Sequence, residues 1–112
     1  MITLSVLLAF NTIKNRLDWR SMRRNLAELL YNELRANRDE IYTCQTAGLS
    51  QRPSTIDGVY SGLLSSGNMK YIKEHQVTLY RLYASMARNE KNVVDAISEQ
   101  MRVLHKIFQG AA

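Results

Sequence analysis

The chain has 112 residues, of which 46% are hydrophobic and 22% are charged. This composition excludes intrinsic disorder, since disordered chains are less apolar and more strongly charged, and the length is that of one domain. Fifteen basic and ten acidic side chains give a net charge of +5. Such an excess permits binding to polyanions without requiring it, and we expect a single domain over residues 1–112.

The N-terminal residues 2–10 read ITLSVLLAF, an apolar run that ends at Asn11. Nine residues are too few to cross a bilayer, which takes about 20, and the run lacks the basic flank and cleavage site of a signal peptide. Three interpretations remain open. The run forms the first turns of a soluble helix that packs on the chain's own C-terminal end, or it is an oligomer contact, or it is the trimmed end of a membrane helix.

The first predicted element is a helix over residues 2–46, because no Pro or Gly interrupts the chain before Gly48, which suits a left-handed cap. A kink between Asn11 and Asn15 is the alternative. Polar residues, among them Glu33 and Asn37, interrupt an apolar stripe along one face of this helix. The stripe consists mostly of Leu4, Leu8, Trp19, Met22, Leu26, Leu29, Leu30 and Ile41.

A loop over residues 48–53 and a short helix over residues 55–65 are predicted next. Ser54 precedes Asp57 by three residues, which resembles a capping box with Asp in place of Glu, and Gly67 suits the position after the helix. Gly58 and Gly62 lie four residues apart and would leave a smooth groove for a neighbouring helix.

The last predicted element is a helix over residues 70–109. Its apolar residues recur at alternating spacings of four and three, with Glu90 and Gln100 in the two polar positions of the series. Such a seam requires a partner helix, so we expect an all-α fold of two long antiparallel helices with a short helix between them. Helices of about 40 residues would be about 60 Å long, which exceeds a compact domain of this size. We therefore expect the bundle to be completed by oligomerisation, as a dimer or a larger assembly.

A carboxylate within an apolar seam must be hydrogen-bonded or charge-paired, since burying it alone costs several kcal/mol. An approximate antiparallel register places Glu33 near Tyr80 and Asn37 near Gln76. We therefore predict that Glu33, Asn37, His75 and Tyr80 form a buried polar cluster, in which Glu33 contacts Tyr80 or His75. The cluster is interpreted as a clamp that fixes the register of the helices, with a pocket as the alternative.

The candidate functional surface is the segment from Lys14 to Arg24, which holds five basic residues and one acidic residue. Its arginines fall within one arc of the helix away from the seam and could meet the phosphates of a nucleic acid or of anionic lipid. A solvated helix face is the favoured interpretation, with such binding as the alternative, and Trp19 is expected in the core. The candidate polyanion-binding residues are Arg16, Arg20, Arg23 and Arg24.

The sequence shows no pattern typical of a disulfide, a metal site or a catalytic site. Cys44 is the single cysteine, so no internal disulfide forms; it is read as a packed residue, and a reducing compartment is favoured. His75 and His105 lie thirty residues apart without a metal-binding motif. The sequence therefore predicts no catalytic residues, no metal site and no cofactor, and the chain is not expected to be an enzyme.

Three segments resemble small helical microbial proteins without assigned function, in which a glutamate-rich first helix follows an N-terminal membrane segment. The segments are residues 26–37, residues 66–69 and residues 79–83 together with Asn89. The resemblance implies a helical topology and a cytoplasmic location, and it implies no activity.

These observations predict a non-enzymatic helical module for interaction or scaffolding, in the cytoplasm or at the cytoplasmic face of a membrane. The alternative function is polyanion binding through the basic face of the first helix.

Overall fold

The computed structural model describes residues 2–48 and 52–109, with side chains described from residue 18 onward. Every regular element in these ranges is helical, as the sequence predicted. Helix α1 comes first, α2 is short, and a 3₁₀ segment connects it to α3 and then α4. Their bounds are Ile2–Thr46 for α1, Gly58–Ser66 for α2, Asn68–His75 for the 3₁₀ segment, Gln76–Ala87 for α3 and Val93–Phe108 for α4.

Helix α1 is continuous, as its lack of helix-breaking residues predicted. It ends at Thr46, and Gly48 follows with φ +64°, the left-handed conformation expected of a glycine at a helix end. The helix continues across residues 11–15, where the alternative had placed a kink.

The prediction of one helix over residues 70–109 is wrong, because this range contains most of the 3₁₀ segment and then two separate helices, α3 and α4. Ile72 leaves the helical path with φ −130° and ψ 38° inside the 3₁₀ segment. A turn over residues 88–92 then separates α3 from α4, and Asn89 adopts φ +53° there. Asparagine tolerates the left-handed region better than other non-glycine residues do, so the turn forms without Gly or Pro. Glu90 lies exposed in this turn, whereas Gln100 is buried on α4 as predicted.

Helix α2 begins at Gly58, three residues later than predicted, and the expected capping box is not formed. Asp57 occupies the N-cap position but makes no side-chain capping hydrogen bond. At the other end, Gly67 adopts φ +76° directly after Ser66, as predicted. A Cβ atom placed at Gly58 or Gly62 would meet nothing within 4 Å, so the predicted groove holds no neighbouring helix of the described chain.

One cluster of buried side chains joins all the elements. Helix α4 packs along α1 more extensively than any other element does, and the apolar stripes of the two helices meet there. Complete burial of a leucine or isoleucine contributes about 1.5–3 kcal/mol, so this seam is a main source of stability. The fully buried members from these two helices are Leu30, Leu34, Ile41, Val93, Ile97 and Leu104.

The contacts of α1 show how the chain returns after Gly48. Residues from Ser54 to Val59 meet α1 residues of decreasing number, from Glu40 to Glu33, so this segment runs antiparallel to α1. The 3₁₀ segment then lies beside Trp19 and Arg23, about three turns nearer the N-terminus.

The molecule is elongated, with principal extents of 70 × 27 × 17 Å. Its radius of gyration is 18.0 Å, whereas a compact domain of this length has about 13 Å. Helix α1 has 45 residues and is about 67 Å long, so it alone accounts for the long axis.

Candidate functional site

Glu33 is the centre of a buried polar cluster and is only 4% exposed. Its Oε1 accepts a hydrogen bond from the Val59 N–H at 2.9 Å, and its Oε2 accepts one from the Tyr60 N–H at 3.1 Å. These are the second and third residues of α2, whose N–H groups have no partner within the helix. Glu33 therefore caps α2 from another helix, and its negative charge meets the positive end of the α2 dipole.

Tyr83 supplies the third hydrogen bond to Glu33, since its hydroxyl donates to Oε2 at 2.6 Å. The Tyr83 ring stacks on Tyr60 with centroids 4.2 Å apart and planes 9° from parallel. Burial raises the pKa of Tyr83 far above its usual value, and the hydrogen bond and charge of Glu33 raise it further. The phenol thus stays protonated and remains a donor to the carboxylate.

Asn37 lies one turn beyond Glu33 on α1 and is 1% exposed. Its Nδ2 donates to the Ile56 carbonyl and its Oδ1 accepts from the Ile56 N–H, both at 2.7 Å. A side-chain amide that pairs with both backbone groups of one residue satisfies them where no helix or sheet supplies the partners. Asn37 therefore fixes the segment that leads into α2.

The structure brings together two of the four residues of the predicted cluster and leaves the other two apart from them. Glu33 and Asn37 are buried and hydrogen-bonded, as the seam argument required. Tyr80 is 66% exposed and His75 lies on the 3₁₀ segment, so neither contacts Glu33. Tyr83, three residues further along α3, makes the contact with Glu33 that was predicted for Tyr80.

His75 belongs to a separate group of side chains. Arg23 donates to the Tyr71 carbonyl at 2.9 Å and forms an ion pair with Glu74, which joins α1 to the 3₁₀ segment. The hydrogen bond from Arg23 lowers the pKa of the Glu74 carboxyl. His75 Nε2 lies 3.6 Å from Glu74, and burial lowers the pKa of this imidazole.

The predicted arginine face is only partly available for binding. Arg23 is engaged with Glu74, and the side chain of Arg16 lies outside the described residues. Arg20 and Arg24 are exposed and line a shallow surface cavity of about 590 Å³. Trp19, which was expected in the core, is 44% exposed and packs on Tyr71 with ring centroids 4.5 Å apart.

Cys44 is buried near the C-terminal end of α1, in the packed position that was predicted. Its Sγ lies 3.8 Å from Oε1 of Glu40. Burial raises the pKa of the thiol, and the nearby carboxylate raises it further. The thiolate, which is the reactive form, is therefore disfavoured.

Within residues 2–48 and 52–109, no three His, Cys, Asp or Glu side chains come together as metal ligands would. In the same ranges, no helix combines the length and the apolar character needed to cross a membrane. Comparison of the chain with protein-family models, curated proteins and solved structures finds no match.

Proposed function

We propose that this chain is a non-enzymatic helical interaction module that assembles with a second copy of itself through the N-terminal part of α1. The observation that carries the proposal is the length of α1, which is about 67 Å, against about 24 Å for α4. One short helix covers about a third of α1. The α1 contacts of the 3₁₀ segment lie at Trp19 and Arg23, and 17 helical residues precede them.

The orientation of α4 belongs to the same proposal. Tyr31 packs on Phe108 at the end of α4, with ring centroids 5.2 Å apart. The Arg52 guanidinium donates to the Ala87 carbonyl at 2.6 Å, which links the end of α3 to the segment just after α1. Since α4 begins soon after Ala87 and ends beside Tyr31, we infer that it runs antiparallel to α1. The proposed fold is therefore still a helical hairpin, but the partner of α1 is α4 alone and not one helix over residues 70–109.

The composition of the N-terminal part of α1 favours a protein contact. Residues 2–10 include seven apolar side chains in nine positions. Removing a large aliphatic or aromatic side chain from water contributes about 1.5–3 kcal/mol, so pairing two such helices offers a substantial driving force. The one buried carboxylate among the described residues, Glu33, is fully engaged in holding α2 and Tyr83. This supports a structural role for the cluster over a catalytic one.

The test is the mass of the chain in solution, measured by light scattering over a range of concentrations. The wild type is expected to have at least twice the protomer mass of 12.9 kDa. The double substitution Leu4→Glu with Leu8→Glu should shift it to the protomer mass without loss of helix content by circular dichroism. Thr43→Glu, on the exposed face of the same helix, is the matched control and should leave the mass unchanged.

A wild-type chain that stays a folded protomer at all concentrations would contradict self-assembly. Flotation of that protomer with lipid vesicles would then favour a membrane surface as the occupant of the N-terminal helix.

Polyanion binding is a second candidate, and the exposure of Arg20 and Arg24 favours it. Retention on nucleic acid should fall with salt, and each phosphate contact contributes about 0.9 to the slope of log K against log salt concentration. Alanine at both Arg20 and Arg24 should flatten this slope, whereas alanine at the exposed Arg35 and Arg81 should not. Absence of retention even at low salt would exclude this function.

A further inference from the structure

Two adjoining cavities lie between the segment that enters α2 and the C-terminal end of α3. One has a volume of about 310 Å³ and includes Arg52 in its wall, and the other has a volume of about 220 Å³ and includes Asp57. They share Thr55, Met86 and Ala87 in their walls, so they adjoin each other along these residues. The combined space falls within the range of small-molecule sites, which begins at about 300 Å³.

The cavity at Asp57 is lined by both apolar and polar side chains. Its lining includes the stacked rings of Tyr60 and Tyr83 together with Met86, which we call its floor, and also Ser61. Binding sites for small organic molecules have this character, since the apolar floor supplies affinity and a few polar groups fix the orientation.

The Asp57 carboxylate does not cap the helix that it precedes. An aspartate at the N-cap normally accepts hydrogen bonds from the second or third N–H of the helix. In α2 those two groups, on Val59 and Tyr60, already donate to Glu33. The Asp57 carboxylate makes no capping bond and is exposed at the wall of the cavity.

The cavity at Asp57 is lined, among the described residues, by the carboxylate of Asp57 and by no lysine or arginine, whereas Arg52 lines the adjoining cavity and donates to the Ala87 carbonyl. Glu33 accepts from two backbone N–H groups and the Tyr83 hydroxyl, and its charge meets the positive end of the α2 dipole. Among the described residues, neither Glu33 nor Asp57 forms an ion pair with a lysine or an arginine. The charges of both carboxylates contribute to the raised pKa of Tyr83, so both act on the floor of the cavity. A negative site in a chain of net charge +5 favours a cationic ligand.

We propose that this cavity binds a small organic ammonium ion. The ammonium group donates hydrogen bonds to the Asp57 carboxylate, and the hydrocarbon or aromatic body of the ligand lies against Tyr60, Tyr83 and Met86. Charge-assisted hydrogen bonds are about twice as strong as neutral ones, so the contact with Asp57 is the one that favours a cation over a neutral ligand. This site is independent of the assembly proposed above, because it lies at the other end of the bundle from the N-terminal part of α1.

The test is a titration of the full chain with phenethylammonium chloride, followed by nuclear magnetic resonance of the tyrosine ring protons. Shifts confined to Tyr60 and Tyr83 that saturate with concentration are expected. Asp57→Asn should weaken binding at least about 10-fold, since it removes the charged acceptor while asparagine remains a favourable N-cap residue. Asp95→Asn, at an exposed acid in the first turn of α4, should leave binding unchanged.

The neutral analogue 2-phenylethanol provides a test that needs no variant. It has the same aromatic body and should bind the wild type at least about 10-fold more weakly than the ammonium compound. Equal binding of the two compounds, equal binding to wild type and Asp57→Asn, or the absence of saturable shifts would each overturn the proposal.

Discussion

Glu33→Gln is the substitution that most directly tests how the buried cluster stabilises the fold. Glutamine keeps the shape of glutamate but replaces one oxygen with an NH₂ group and removes the charge. If the amide oxygen occupies the Oε2 position, it keeps the donors of Tyr60 and Tyr83, and the NH₂ group then faces the Val59 N–H. The Val59 donor loses its partner, and the two remaining hydrogen bonds become neutral.

The magnitude follows from the number of bonds affected. A hydrogen bond to a charged group contributes about 1.5–3 kcal/mol and a neutral one about 0.5–1.5 kcal/mol, and an unpaired buried donor costs about 1–3 kcal/mol. At the lower ends of these ranges, the lost bond removes about 1.5 kcal/mol and the two weakened bonds about 1 kcal/mol each, so the free energy of unfolding falls by about 3.5 kcal/mol. For a domain of this size, that corresponds to a fall in Tm of about 15 °C.

The assay is urea unfolding followed by circular dichroism, at one protomer concentration for all variants because assembly would add to the apparent stability. Glu28→Gln, on the exposed face of α1, is the matched control and should stay within about 0.5 kcal/mol of the wild type. If Glu33→Gln is as stable as this control, the cluster does not hold α2 in place and the reasoning is refuted.

Three further predictions concern the same region. Tyrosine in the unfolded chain loses its proton near pH 10, whereas folded Tyr83 keeps its proton. The stability that protonated Tyr83 contributes is therefore fully present below pH 10 and is lost as the pH rises above it. Tyr83→Phe should accordingly reduce the fall of the unfolding free energy with alkaline pH by about 1.4 kcal/mol per pH unit. Gly62→Ala should raise the free energy of unfolding by about 0.5–1 kcal/mol, because space for the added methyl group is open at this helical position. Gly67→Ala should lower it by about 1–2 kcal/mol, because Gly67 has φ +76°. Changes of the same sign for both variants in denaturant unfolding would contradict this prediction. Asn37→Ala should accelerate hydrogen exchange of the Ile56 amide, and unchanged protection would show that the side chain is dispensable there.

The sequence allowed α1 to be predicted because its signals are local. Uninterrupted helical residues followed by Gly48 determine its extent, and a glutamate in an apolar stripe must find donors wherever the stripe packs. The identity of those donors could not be predicted, because two of them are backbone N–H groups of α2, which carry no side-chain signal.

The division of the second helical segment was missed for a related reason. The apolar stripes of α3 and α4 continue the same spacing across the turn, so the spacing alone predicts Glu90 as an in-seam residue. The available signal was the pair Asn89 and Asn92, since asparagine is a weak helix former and accepts left-handed geometry. With the helix interrupted at Ile72 and at the turn, the register of α3 relative to Glu33 differs by three residues from the prediction, and Tyr83 rather than Tyr80 reaches Glu33.

The capping of α2 by Glu33 makes a nine-residue helix depend on a side chain 26 positions earlier in the chain. A helix of this length is not stable on its own in water, and here even its first turn is incomplete until α1 is present. A synthetic peptide covering residues 52–67 would therefore be largely unstructured. During folding, α2 would form only when α1 packs against it. The chain should consequently lose α2 and its contact with α1 in a single cooperative step, with no state in which α2 survives alone.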